Sequence, residues 1–199
     1  MPLRGRYIET LPPGGNRKED HHDFAAIEVD AEFSAQLGGI IYIGDDSISK
    51  NRRPSEKKVL YLCVGYPNSK NKDIHATKRE VNANFWNHVA PGHPTHADLG
   101  QWAKTTNDHL FVDLPKKHAR NTEGEIINAV HPQGSSGGPV FYIGDFADFD
   151  TFGVNKECRP MLEAIIIEGY VNQRALVAVQ IGAVIKALRQ DCVLSRSHS

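Results

Sequence analysis

Seven short runs of β-type residues constrain the fold of this chain more than any other feature of its sequence. They are rich in Val, Ile, Tyr and Phe, and turn residues separate them, a spacing typical of an all-β sandwich or barrel. The predicted strands cover residues 24–29, 39–44, 59–66, 109–114, 139–144, 162–171 and 175–181. Two stretches fit helices, 74–88 and 182–190. We therefore expect an all-β fold with a short C-terminal helix.

Charge and composition narrow the classes of partner. The chain has 23 Lys and Arg against 24 Asp and Glu, so its formal net charge of -1 creates no field that would attract nucleic acid or an anionic membrane. No apolar run approaches the roughly 18 residues of a membrane span. Cys63, Cys158 and Cys192 form no close pairs and are expected to be reduced. As written, the chain is predicted to be cytoplasmic, with no nucleic-acid and no membrane partner; a true N-terminus further upstream would leave its location unknown.

A glycine-rich loop, HPQGSSGGPVF at residues 131–141, carries the strongest chemical signal. Glycine is required where the backbone takes a positive φ or approaches another group closely. Such a turn can present the hydroxyl of Ser136 outward while the N–H groups of Gly134 and Ser136 converge on one point, as a tetrahedral oxyanion requires. A flexible linker is the alternative interpretation. The β-type run that follows directly argues against a linker.

This loop resembles the G-[DN]-S-G-G-P-V signature of trypsin-like serine proteases, and the resemblance continues along the chain. VLYLCVGYP at 59–67 is similar to the strand that opens the second barrel of the bacterial members. LEAIIIEGYV at 162–171 is similar to the strand that lines the substrate cleft, and ALVAVQI with GAVIKALRQ to the last strand and the closing helix. The resemblance implies a trypsin-like double β-barrel in which Ser136 is the nucleophile and Gly134 and Ser136 supply the oxyanion hole.

The triad aspartate is implied by a second motif, DFAAIEVD at 23–30, which is similar to the family strand that carries it. Asp23 would orient the catalytic histidine. The segment before it holds only His21 and His22, and neither suits a triad because neighbouring residues of a strand point to opposite faces. Three explanations stay open: a fragment or late start, a degenerate relative, or a non-standard histidine as base.

The resemblance also implies domain limits and a substrate cleft. We expect a tail or truncated remnant at 1–22 and a peptidase domain at 23–199, with an incomplete first barrel and a second barrel at about 59–190. The cleft residues are Val130, Ile167, Glu168 and Gly169. Val130 lies six places before the nucleophile, where the family tends to place the base of its main specificity pocket. An apolar base favours small or apolar substrate side chains over Lys or Arg.

Other histidines give weaker predictions. His88, His93 and His96 have a spacing that could bring three imidazoles to one metal ion. The prolines and glycine among them predict a loop instead, so neither a metal site nor a cofactor is expected. His131, just before the glycine-rich loop, is interpreted as a wall residue or a solvated loop histidine.

The residues and the resemblance together predict a serine endopeptidase that hydrolyses peptide bonds through an acyl-enzyme on Ser136. Its partner would be a peptide or protein substrate. The alternative is a catalytically inactive protease-like domain that binds peptides or a protein partner, for example by adding a strand to the edge near residues 165–171.

Overall fold

The structure is a computed structural model that describes fourteen ranges of the chain. These are residues 7–9, 23–36, 42–49, 59–69, 74–75, 80–81, 84–93, 108–115, 119–120, 125–127, 130–143, 147–148, 153–154 and 159–196. Within them the chain is mostly β. None of the helices in these ranges combines the length and apolar character that crossing a bilayer would demand.

The described elements are short strands and two α-helices. The strands are β1 Tyr7–Glu9, β2 Ala25–Ile27, β3 Leu60–Gly65, β4 Ile74–His75, β5 Glu80–Val81, β6 Trp86–Pro91, β7 His109–Asp113, β8 Ala119–Arg120, β9 Ile126–Ile127, β10 Pro139–Tyr142, β11 Ala147–Asp148, β12 Gly153–Val154, β13 Met161–Tyr170 and β14 Ala175–Gln180. The helices are α1 Ala31–Gln36 and α2 Ile181–Arg196, and a single 3-10 turn covers Asp45–Ser47.

Six strands form one antiparallel sheet in the order β6-β3-β10-β13-β14-β7. The sheet curls until its two outer strands meet. Gly92, just after β6, bridges Val112 in β7, and the backbone N–H of His93 donates to the carbonyl of Phe111 at 2.9 Å. We call this six-stranded unit the barrel. It confirms the predicted strands that begin near residues 59, 109, 139, 162 and 175.

Strand β14 is buried on both faces, which explains its nearly continuous apolar sequence. Leu176 and Ala178 point into the barrel, whereas Val177 and Val179 point outward under α2. Two clusters of buried side chains result. The inner cluster comprises Tyr61, Cys63, Trp86, Ala90, Leu110, Val112, Leu114, Val140, Ala164, Ile166, Leu176 and Ala178. The outer cluster comprises Phe24, Phe111, Ile167, Ala175, Val177, Val179, Ile181 and Val184.

Helix α2 covers the outer face of the barrel with the side that the sequence predicted. Val184 is buried in the outer cluster, and Ile185 and Leu188 pack against it. Apolar residues three and four positions apart lie on one face of a helix, and that face is buried here. The helix is longer than expected, since it runs on to Arg196.

The described residues before the barrel are less enclosed. β2 pairs with β1 across three residue pairs, and α1 has no buried residue. Ile27 and Val29 are 43% and 40% exposed. Contacts with the barrel are made by Phe24, which belongs to the outer cluster, by Ile48, which bridges Leu162, and by Ser49, whose N–H donates to the carbonyl of Leu162 at 2.9 Å.

Two predictions from local sequence pattern are wrong. The helix predicted at 74–88 is replaced, where described, by the paired strands β4 and β5 and by the start of β6. The predicted strand at 39–44 fails at 42–44, which lie outside any strand; 39–41 fall outside the described residues. β6 forms because β3 offers it a six-residue partner, with Cys63 opposite His88, and local periodicity cannot reveal such a distant pairing.

Candidate active site

The glycine-rich loop folds as two consecutive tight turns. The N–H of Ser135 donates to the carbonyl of Pro132 at 2.8 Å, and the N–H of Gly138 donates to the carbonyl of Ser135 at 3.0 Å. The third residue of each turn has a positive φ, 91° at Gly134 and 85° at Gly137. A turn of this kind requires glycine or asparagine at that position. The spacing of the glycines therefore places Ser136 at the exposed second position of the second turn.

Backbone hydrogen bonds fix the second turn to β13. The N–H of Gly137 donates to the carbonyl of Ile166, and the N–H of Ile166 donates to the carbonyl of Gly138, both at 2.8 Å. Gly138 also lies against β3, since a Cβ there would overlap the carbonyl oxygen of Val64. The loop is thus held by strands on two sides, as a precisely oriented site requires.

The hydroxyl of Ser136 is exposed and donates to the carbonyl of Ile167 at 3.1 Å. Ile167 occupies a β-bulge, where the register between β13 and β14 shifts from Ile166 to Glu168. A bulged residue lies outside the regular ladder, so its carbonyl can accept a side-chain donor. In this state the Ser136 proton is held by a carbonyl and not by a base, and a serine hydroxyl needs a base to become a strong nucleophile.

The N–H groups of Gly134 and Ser136 differ from the others of the loop. Those of Ser135, Gly137 and Gly138 are each donated to a backbone carbonyl. Within the ranges that the structure describes, no acceptor is assigned to the N–H of Gly134 or of Ser136. These are the two donors that the sequence predicts for an oxyanion.

Two of the predicted cleft residues contact this loop. Gly169 packs directly on the buried ring of Pro132, because a Cβ at Gly169 would lie 3.3 Å from Pro132 Cβ and overlap the end of its ring. Ile167 accepts the bond from Ser136. Val130, at the start of the loop, packs against the inner cluster. The structure therefore brings Ile167 to the serine, places Gly169 against Pro132 of the same loop, and seats Val130 on the barrel interior.

Glu168 has a neighbour that sequence reasoning missed. The hydroxyl of Tyr170 donates to Glu168 Oε2 at 2.7 Å. Burial raises the pKa of Tyr170, and the hydrogen bond to the Glu168 carboxylate raises it further. The phenol therefore stays protonated and donates to the carboxylate, whose position it fixes. The signal lay in the i, i+2 spacing, which places two strand side chains on the same face.

Asp23 is exposed and starts the described segment at 23–36 with a φ of 41°, a conformation that Asp tolerates better than most residues. The next residue, Phe24, is buried in the outer cluster together with Ile167. Asp23 therefore precedes a residue of the cluster that also contains Ile167, the acceptor of the Ser136 hydroxyl, and its role as the triad aspartate stays a prediction.

His88 and His93 are engaged in structural hydrogen bonds. His88 Nε2 lies 2.8 Å from the carbonyl of Asp113, and His93 Nε2 lies 3.1 Å from the carbonyl of Gln173, so both nitrogens are donors. His88 lies in a strand and not in the predicted loop, and its ring stacks on Trp86 at 5.4 Å. Burial lowers the pKa of His88, which favours the neutral ring. Within the described residues no group of three or more metal-ligating side chains occurs, and His96 lies outside them.

His131 lies beside the loop but is held in a tautomer that does not suit a base acting through Nε2. Its Nδ1 accepts from the N–H of Gln133 at 3.2 Å. The neutral ring then carries its proton on Nε2. His131 therefore acts as a loop constraint in this structure.

Of the three cysteine side chains, the structure describes only that of Cys63. Cys63 is a free cysteine inside the barrel, and burial strongly raises the pKa of its thiol. It behaves as a small apolar residue of the inner cluster. Cys158 and the side chain of Cys192 lie outside the described residues.

Comparison with known proteins gives a likeness of structure. No protein-family model matches the chain, and no curated protein matches it. Among solved structures, it is similar to a Glu endopeptidase determined in complex with MPD, at 15% sequence identity and a TM-score of 0.46. The match covers 94% of this chain and 61% of that chain, so the present chain spans about three fifths of the length of that endopeptidase.

Proposed function

We propose that the chain is a serine endopeptidase of the trypsin-like type, with Ser136 as its nucleophile. The observation that carries the proposal is the double turn at 132–138, which exposes Ser136 and provides beside it two N–H groups that have no acceptor among the described residues. The six-stranded barrel, covered by helix α2, supports the proposal because it would correspond to the second barrel of such a fold. The small paired sheet of β1 and β2 fits an incomplete first barrel.

The chemistry is an acyl transfer. Ser136 Oγ attacks the carbonyl carbon of the peptide bond, and its proton passes to a general base. The N–H groups of Gly134 and Ser136 stabilise the oxyanion of the tetrahedral intermediate. The base then protonates the leaving amine, and water releases the acyl group by the same steps in reverse. Asp23 is proposed to orient the base, an imidazole whose position in the sequence this proposal leaves open.

The substrate is proposed to bind as an extended strand along the end of β13. From Met161 to Ile165 this strand pairs with β10. Beyond Ile166 the same edge faces the glycine-rich loop. An extended peptide can add to such an edge through main-chain hydrogen bonds. Val130, an apolar residue at the start of the loop, would form the base of the main pocket and favour small or apolar side chains.

A fluorophosphonate probe tests the proposal, because it phosphonylates only an activated serine. Intact mass should show one adduct on the wild-type chain and none on Ser136→Ala. Ser135→Ala is the matched control, since Ser135 is a neighbouring serine whose side chain is buried. It should label as the wild type does. Labelling that persists in Ser136→Ala would refute the assignment of the nucleophile.

A second candidate function is peptide binding without hydrolysis. The hydrogen bond from Ser136 Oγ to the Ile167 carbonyl favours it, because a hydroxyl that donates to a carbonyl is not activated. A chain that unfolds cooperatively and yet takes no label would support this candidate. Screening that sample against an immobilised library of extended peptides would then measure binding.

A further inference from the structure

Asn68, in the turn that follows β3, lies directly against the first turn of the glycine-rich loop. Its backbone N–H donates to the carbonyl of Gln133 at 2.8 Å. Its side chain occupies the space beside Gly134, since a Cβ there would be 2.6 Å from Asn68 Cγ and 2.9 Å from Asn68 N. One residue of another element therefore contacts both halves of the peptide unit that joins Gln133 to Gly134.

That contact decides which way the Gly134 N–H points. A trans peptide unit is planar, and its carbonyl and N–H point in opposite directions. Because Asn68 binds the Gln133 carbonyl on one side, the Gly134 N–H must point to the other. A rotation of this peptide unit by half a turn would break the bond and place a carbonyl oxygen where the N–H had been. Such a carbonyl would repel an oxyanion.

Gly134 cannot select the orientation by itself. Glycine populates positive and negative φ about equally, so a peptide unit next to it can rotate at low cost. The first turn supplies a partial restraint through the bond from Ser135 N–H to the Pro132 carbonyl, and His131 holds the N–H of Gln133. Neither bond involves the Gln133 carbonyl. Asn68 supplies that restraint from the end of β3, and the buried Pro67 before it ties the turn to the barrel.

We infer that Asn68 is a positioning residue, whose backbone N–H and side chain lock the Gln133–Gly134 peptide unit with the Gly134 N–H directed toward the oxyanion. This inference rests on the proposed function for its catalytic meaning. The orientation itself is a property of the free chain and can be measured without any reaction.

The first test is spectroscopic. In a chain labelled with ¹⁵N and ¹³C, a scalar coupling across the hydrogen bond should connect the Asn68 amide nitrogen to the Gln133 carbonyl carbon. Exchange of the Asn68 amide hydrogen should be slower than in the unfolded chain by at least about tenfold. No coupling together with unprotected exchange would overturn the inference, whatever the enzyme assay gives.

The second test separates the N–H from the side chain of Asn68. Asn68→Pro removes the N–H, whereas Asn68→Ala keeps it and removes only the side-chain packing. We expect the maximal rate of fluorophosphonate labelling to fall about 10- to 100-fold in Asn68→Pro and less than about tenfold in Asn68→Ala, because a lost oxyanion donor typically costs 10²- to 10³-fold. The probe concentration at half-maximal rate should stay within about twofold. Ser69→Ala, one residue further on and exposed, is the control and should label normally.

The possible outcomes test the positioning role of Asn68 and the proposed peptidase function separately. A folded Asn68→Pro variant that labels at the wild-type rate refutes the positioning role. A wild-type chain that shows the coupling but takes no label keeps the orientation and refutes the peptidase. If Asn68→Pro does not fold, the coupling in wild type and its persistence in Asn68→Ala decide the question alone.

Discussion

The barrel and the residues before it contain similar apolar runs but bury them very differently. The six residues of β14 are all buried, with a neighbouring strand on each side and α2 above. β2, from the equally apolar run at 24–29, pairs within the described part of the chain with one three-residue strand and leaves Ile27 43% exposed. An apolar strand is therefore buried where it gains two partners and a covering layer, and its own sequence does not guarantee them.

The largest expected difference between the two regions is in the cost of truncating an aliphatic side chain. Leu176→Ala should lower the free energy of unfolding by about 4 kcal/mol, because Leu176 is fully buried between two strands. Ile27→Ala should change it by less than about 0.5 kcal/mol, as for an exposed position. Urea unfolding followed by circular dichroism measures both. Equal losses would show that β2 is packed as firmly as β14.

Phe24→Ala should cost nearly as much, although Phe24 precedes the barrel. Its side chain is 7% exposed and belongs to the outer cluster with Phe111 and Ile167, so we expect a loss of about 3 kcal/mol. Val29→Ala, five residues on and 40% exposed, is the control and should have little effect. A small loss at Phe24 would mean that the segment carrying Asp23 does not dock on the barrel.

Protonation of His88, which lies in the barrel, should make the stability of the folded chain depend on pH. The folded-state pKa of His88 is lowered by burial from 6.5, so the unfolded chain takes up the proton first as the pH falls. The contribution of His88 to stability is complete above about pH 6.5 and is lost as the pH falls from there toward the folded-state pKa. His88→Gln, which retains an N–H donor, should flatten the fall in thermal midpoint between pH 7.5 and pH 5. An unchanged slope would exclude His88 as its source.

The smallest expected effects come from the two helices. Gly182 lies near the start of α2, and a Cβ there would meet nothing within 4 Å. Gly182→Ala should therefore raise the free energy of unfolding by about 0.5–1 kcal/mol. The reverse exchange in α1, Ala35→Gly, should leave the global transition within about 0.3 kcal/mol, because α1 buries no residue against the barrel. A clear loss at Ala35 would show that α1 unfolds together with the barrel.

Local sequence was sufficient to predict those strands and the helix in which one or both faces are clearly apolar. β14 and β13 are apolar over most of their length, and α2 shows its face through Val184, Ile185 and Leu188. β6 lacked such a signal. Its inward residues Trp86 and Ala90 alternate with the polar Asn87, and Pro91 ends it, so the strand depends on pairing with β3.

The candidate site was predictable where it depends on glycine. The two glycines at positive φ and the exposed Ser136 follow directly from the letters GSSGG. Asn68 and the carbonyl of Ile167 could not be found in this way. The first acts through its backbone N–H, which every residue except proline carries, and the second is a backbone acceptor exposed by a bulge. The general base and the direct link from Asp23 stay predictions.

The bulge at Ile167 leaves a carbonyl outside the strand ladder, and in this structure that carbonyl accepts the hydrogen bond of the Ser136 hydroxyl. Ladder bonds join Ile166 and Glu168 to β14, so the strands stay paired whether or not the Ile167 carbonyl is occupied. Exchanging Ser136 Oγ for a ligand donor at that carbonyl would cost only one partly buried hydrogen bond, about 1 kcal/mol. A ligand donor can therefore bind to the Ile167 carbonyl and leave it again while the sheet stays closed and rigid.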